Sequence, residues 1–239
     1  MKKRLDVLLV ERGLAESRSQ AQALVLAGLV PGHTKAGEQV DDAAQLEVEG
    51  GPRFVSRGGE KLAGALAELE IDVAGEDCLD VGASTGGFTD CLLQAGAARV
   101  CTLDVGYGQL HPRLRDDPRV TVLERTNVRD LRCDALPFAP AFVTCDVSFI
   151  GLVKALPPAL ACAAPGWRAL ALVKPQFEAG PADVGRGGVV RDPEVRRRVL
   201  DDVTAQVPAW GGRVLGVADS VLPGPKGNRE LFVYLAAAG

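Results

Sequence analysis

Residues 78–90 read CLDVGASTGGFTD: a short apolar run ending in Asp80, three glycines within six residues (Gly82, Gly86 and Gly87), then a helix-like pattern. A strand that breaks on glycine and re-enters a helix turns unpaired backbone N–H groups toward whatever lies beyond the strand. α/β proteins hold charged cofactors at such turns. Two later apolar runs also end in polar groups. RVCTLDVG leads to Asp104, whose carboxylate can accept both hydroxyls of a ribose, and VTVLERTN leads to Asn127, whose amide suits an adenine edge. The glycine spacing is not the GxGxxG of dinucleotide binders, and the Gly-Lys-Ser/Thr of a phosphate-binding P-loop is absent. The pattern suits a ligand whose sugar and zwitterion pack against bare backbone. S-adenosylmethionine (SAM) is such a ligand.

These residues need strands that end on one rim. From residue 59 onward, helical runs alternate with strand-like ones at DCLDVG, RVCTLDVG, VTVLERT, AFVTCDVS, RALALVKP, RVLGVADS and LFVYLAA. Alternation of this kind predicts an α/β fold with a mostly parallel seven-stranded sheet covered by helices. The last two strands follow each other without a helix, which predicts an antiparallel pair. Ahead of this region RLDVLLVERGL and SRSQAQALVLAG read as two short helices, the second opened by a Ser17–Gln20 capping box and stopped by Gly28. The expected division is a small first domain at 1–50, a glycine-rich linker at 51–60 and a large domain at 61–239.

Composition excludes several classes. Hydrophobic residues make up 47% of the 239 and aromatics 5%, so aliphatic side chains must fill the core. No run of about 18 apolar residues exists, and Asp6, Glu11 and Arg12 interrupt the basic N-terminus, which reads as an amphipathic helix rather than a secretory signal. Six scattered cysteines without a CxxC pair, and two distant histidines, predict no metal site and fit free thiols in a reducing cytoplasm. The formal charge of -4 hides a basic stretch at 2–35, with six Lys or Arg against three acids, followed by an acidic one at 38–49.

Taken together, CLDVGASTGGFTD, LDVGYGQL, DPRVTVLERTNVRDL, CDVSFI, LVKPQFE and PGPKGNRE resemble the TlyA family, in family order and over nearly the whole chain. The resemblance implies a Rossmann-like, FtsJ-like SAM-dependent methyltransferase domain behind a small S4-like RNA-binding domain. The implied activity is 2′-O-methylation of cytidine in ribosomal RNA. It also implies a Lys-Asp-Lys-Glu tetrad, matched by Lys61, Asp146, Lys174 and Glu230. Lys174 would be the base, with Lys61 supplying a like charge and the two acids orienting the lysines. The cofactor residues carried over are Asp80, Gly82, Ala83, Ser84, Thr85, Gly86, Gly87, Asp104 and Asn127. Arg4, Arg18, Lys35, Arg53 and Arg57 are the candidates for phosphate contacts, which position RNA without reading its sequence.

Where S4 modules carry a longer strand–turn–strand, this chain has only PGHT, which predicts a shortened β part. The end at LFVYLAAAG resembles the shorter TlyA subtype, associated with large-subunit RNA. The loop GPADVGRGGVVRD, with Arg186 among four glycines, is expected to be mobile near the substrate. The competing readings are membrane lysis, for which the family was also named haemolysin A, a ribosome-assembly factor with a non-catalytic methyltransferase fold, and a nicotinamide-dependent dehydrogenase.

Overall fold

The computed structural model describes residues 2–15, 17–50 and 52–239. It divides into two compact units, Met1–Arg53 and Phe54–Gly239.

The first unit runs β1 (Lys2–Arg4), α1 (Leu5–Glu11), α2 (Arg18–Leu26) and β2 (Gln39–Asp41). Leu5, Leu8 and Leu9 recur at helical spacing and are buried with Ala21, Leu24 and Val25 of α2. The Ser17 side chain accepts from the Gln20 backbone N–H at 3.2 Å, closing the N-terminus of α2 as the sequence predicts. A further element was not read from sequence: β1 pairs antiparallel with β2, Lys3 opposite Val40. Three-residue strands are too short to show an alternating pattern.

The second unit runs α3 (Arg57–Glu68), β3 (Asp77–Val81), α4 (Gly87–Gln94), β4 (Arg99–Leu103), α5 (Pro112–Arg115), β5 (Val120–Leu123), β6 (Phe142–Cys145), α6 (Leu152–Ala161), β7 (Arg168–Val173), α7 (Pro175–Glu178), α8 (Pro193–Gln206), β8 (Gly212–Asp219) and β9 (Leu231–Ala237). Residues 57–60, expected in a linker, are the first turn of α3. The seven strands lie in the order β5-β4-β3-β6-β7-β9-β8. The pairs β3–β4, β3–β6, β4–β5 and β6–β7 are parallel, while β9 runs antiparallel to both β7 and β8. Strand side chains alternate between two cores. Leu79, Val81, Cys101 and Leu103 face the α6–α8 side, and Cys78, Val100, Phe142 and Leu170 face α3 and α4.

The chain winds outward from β3 in one direction to β4 and β5, then returns to place β6 on the other flank of β3. Ligands of open α/β sheets bind beyond the strand ends at such a reversal. Register aligns those ends: Val81 sits opposite Leu103 on one side and Cys145 on the other, so Gly82, Asp104 and Asp146 leave the sheet side by side.

The expectation of six free thiols is corrected: Cys133 and Cys162 form a disulfide, while Cys78, Cys91, Cys101 and Cys145 are buried outside any disulfide. The partners lie 29 residues apart, and only the fold brings the turn before β6 against the end of α6.

Candidate active site

Two clefts meet at the rim between β3 and β6. One, of about 350 Å³, is lined by Lys61, Asp146, Lys174, the loop residues Gly82, Ala83, Ser84 and Thr85, and Gly87. The other, of about 310 Å³, is lined by Asp104 and Asn127 and shares Gly82, Ser84 and Asp146 with the first. Gly82 has φ +85°, and a Cβ there would stand 2.5 Å from the Asp146 carbonyl oxygen, so a side chain would push the two strand ends apart.

The four residues matched to the tetrad converge as two ion pairs. Lys61, on the first turns of α3, places Nζ 2.5 Å from Glu230 Oε2. Glu230 stands just before β9 and is 1% exposed. Because β9 runs against its neighbours, its beginning lies at the rim where the parallel strands end. Gln176 donates to the other Glu230 oxygen at 3.3 Å, and the chain passes so close that a Cβ on Gly224 would overlap the carboxylate. Lys174, directly after β7, places Nζ 2.5 Å from Asp146 Oδ1 and donates to Ser148 Oγ at 3.0 Å. Both lysines are 8% exposed. Buried ammonium groups persist only when paired, and these are.

The residues fit a SAM-type cofactor. Asp104 accepts from the Ser84 N–H and the Gly106 N–H, each at 2.7 Å, which orients the carboxylate and leaves lone pairs for ribose hydroxyls. Asn127 accepts from the Arg129 N–H at 3.1 Å, which leaves its amide nitrogen as a donor at the cleft. The N-terminus of α4 opens at Gly87 on the cleft and favours a carboxylate there.

Two cofactor candidates stand elsewhere. Asp80 is fully buried beneath the loop, where it accepts from Thr89 Oγ1 of α4 at 2.7 Å and Thr144 Oγ1 of β6 at 3.0 Å. Burial pushes its carboxyl up to about 6, against the pull of those two hydroxyls. It is an internal strut rather than a cleft residue, because the alternation of β3 turns it inward. Gly86 is the left-handed N-cap of α4 and faces Leu110 and Leu114 rather than the cleft.

Comparison with known proteins decides the family. Residues 54–237 match the FtsJ-like methyltransferase model, and residues 3–30 match the S4 domain. The chain belongs to the FtsJ-like methyltransferase family. It is 49% identical over 238 residues to the 16S/23S rRNA (cytidine-2′-O)-methyltransferase TlyA of Mycobacterium tuberculosis, covering 97% of this chain and 89% of the relative. It is 40% identical to Hemolysin A of Brachyspira hyodysenteriae, covering 97% and 98%. A solved chain from Streptococcus thermophilus, described as a candidate hemolysin, superposes with a TM-score of 0.78 at 42% identity, covering 99% of this chain and 89% of that one.

Within the S4-matched unit, Arg4 and Arg18 come together on one buried carboxylate. Asp6 accepts from Arg4 at 2.9 and 3.0 Å, from Arg18 at 3.1 Å and from Gln22 at 2.9 Å. The Arg4 guanidinium holds the Asp6 carboxyl well below its usual range. Lys35 and Arg53 are exposed on the same unit. In the FtsJ-like domain Arg57 lines the cleft and donates to the Pro223 carbonyl at 3.1 Å. The loop at 180–192 is anchored rather than open: Asn228 accepts from the Val190 N–H at 3.0 Å and donates to the Gly188 carbonyl at 2.9 Å. Sequence reasoning missed Ser148, in the turn after β6, and Gln176, in α7, because neither lies on a strand whose alternation would mark it. It also missed Phe149, 91% exposed with φ +67°, an unusual conformation for a bulky residue. Among the described residues no three His, Cys, Asp or Glu cluster to hold a metal ion.

Proposed function

We propose that this protein transfers the methyl group of SAM to a ribose 2′-hydroxyl of cytidine in ribosomal RNA, with Lys174 as the base. The observation that carries this reading is the convergence of Lys61–Glu230 and Lys174–Asp146 on one cleft beside the glycine loop. Bound SAM supplies a methyl already activated by its sulfonium. What remains for the protein is to align the acceptor and remove its proton.

Asp146 and Ser148 fix Lys174 Nζ from two sides and leave one valence for the acceptor hydroxyl. Lys174 takes the hydroxyl proton after passing its own to Asp146 or to water. Lys61, held by Glu230, adds positive charge to the wall of the cleft, where it favours the developing alkoxide. The S4 domain, through Arg4, Arg18, Lys35 and Arg53, would dock RNA phosphates, while Arg57 would meet the acceptor strand at the cleft. The relative named as a 16S/23S cytidine-2′-O-methyltransferase supports this substrate class. RNA of either subunit is a candidate target, since the relative's name covers both 16S and 23S rRNA, and the cytoplasm is the favoured compartment.

The test incubates the purified chain and a Lys174→Ala variant with tritiated SAM and, separately, small subunits, large subunits and naked rRNA. Label in the RNA of one or both subunits that falls at least about 10²-fold in the variant, with SAM binding retained, is the expected result. Label undiminished in the variant would remove Lys174 as base. Absence of label from every substrate despite SAM binding would favour the assembly-factor reading. The name Hemolysin A borne by one relative is addressed by liposome leakage without SAM; among the described residues no helix is long and apolar enough to cross a membrane.

A further inference from the structure

The Cys133–Cys162 bond closes a covalent ring around the segment that carries Asp146 and Ser148. Inside the ring lie β6, the rim turn after it and the whole of α6. That helix is poorly secured by its own backbone, because Pro157 and Pro158 in its interior remove two successive N–H donors. At its start Leu152 N–H donates to Glu178 at 2.7 Å. At its end the packed side chains of Leu156, Ala159 and Leu160 are joined by the Ala164 N–H donating to the Pro140 carbonyl at 2.9 Å and by the disulfide.

The bond is also the place where thiol chemistry can reach this chain. Cys133 is exposed while Cys162 is 6% exposed. The four remaining cysteines are buried. Burial pushes the Cys78 and Cys101 thiols up to about 12, and that of Cys145 upward as well, so none forms the reactive thiolate readily.

We propose that Cys133–Cys162 is a reversible thiol–disulfide exchange site, and that its reduction loosens the β6–α6 segment behind Asp146. A glutathione thiolate attacks the exposed Cys133 sulfur; the S–S bond breaks, and its electron pair leaves on Cys162, which takes a proton. A second glutathione thiolate attacks the mixed disulfide, releasing the Cys133 thiolate, which is protonated, and glutathione disulfide. The chain gains two electrons and two protons, and two glutathiones are oxidised. Only the consequence for methyl transfer rests on the function proposed above.

The experiment equilibrates the full chain in glutathione buffers from oxidised to reduced, with no SAM or RNA present. It reads iodoacetamide labelling by peptide mass, melting temperature, and hydrogen exchange over residues 142–161. In the oxidised buffer Cys133 and Cys162 should escape labelling. In the reduced buffer both should label, Tm should fall by roughly 5–10 °C, and exchange should quicken in that segment. Cys133→Ser and Cys162→Ser should each melt at one temperature in all buffers. Equal labelling of both cysteines in every buffer, or unchanged Tm and exchange in the wild-type chain, would overturn the proposal. Since none of these readouts needs methyl transfer, failure here is distinguishable from failure of the enzymatic reading.

Discussion

At the scale of single residues, Asp80 separates what spacing reveals from what it hides. The family resemblance made it a candidate for the cofactor, but the alternation that makes β3 a strand turns its side chain inward onto Thr89 and Thr144. Burial raises its carboxyl from 3.8 to about 6, so the folded chain holds a proton there that the unfolded chain releases. The contribution of this group to stability is therefore fully present below about pH 4 and falls as pH rises toward 6, by up to about 3 kcal/mol. Asp80→Asn, whose amide oxygen can accept from one threonine hydroxyl while its amide nitrogen donates to the other, should remove that slope. Chemical unfolding of both proteins from pH 4.5 to 7.5 checks this, and an unchanged slope in the variant would exclude Asp80 as its source. Gly224 makes the opposite kind of residue-scale case, since nothing in PGPKGNRE states that its missing side chain is needed by Glu230. Gly224→Ala should cost at least tenfold in transfer rate while SAM binding, measured by calorimetry, is kept.

At the scale of elements, periodicity carried far. The seven strands and the longer helices α3, α4, α6 and α8 were legible, and burial on both sides of the sheet writes apolar runs into β3, β6 and β7; the four-residue α5 and α7 are too short to carry a period. The capping box at Ser17 was equally legible, since its hydrogen bond is local. Ser17→Ala should destabilise the first unit by about 1 kcal/mol, read as a shift in its unfolding midpoint. The β1–β2 pair, the ion-pair cluster on Asp6 and the disulfide were not legible. The first and last join stretches about 30 or more residues apart, the Asp6 cluster depends on how α1 and α2 pack, and no periodic signal marks any of them.

At the scale of the whole chain, the division into Met1–Arg53 and Phe54–Gly239 makes a separable prediction. A fragment of residues 54–239 should keep the rise in melting temperature that SAM produces, because the glycine loop, Asp104 and Asn127 all lie within it. If Arg4, Arg18, Lys35 and Arg53 bind phosphates, the fragment should bind rRNA more weakly, and its affinity should depend less steeply on salt, than the full chain. Equal salt slopes for the two would move the RNA contacts onto the methyltransferase domain.

The place of β9 in the sheet bears on how the protein is made. It follows β8 in the chain, yet it occupies the slot between β7 and β8. Until Leu231–Ala237 have been made, β8 has no neighbour, the sheet lacks its final edge, and Lys61 has no counter-charge across the 169 residues that separate it from Glu230. A nascent chain stalled short of this point therefore carries the cofactor loop and Lys174 without the finished site.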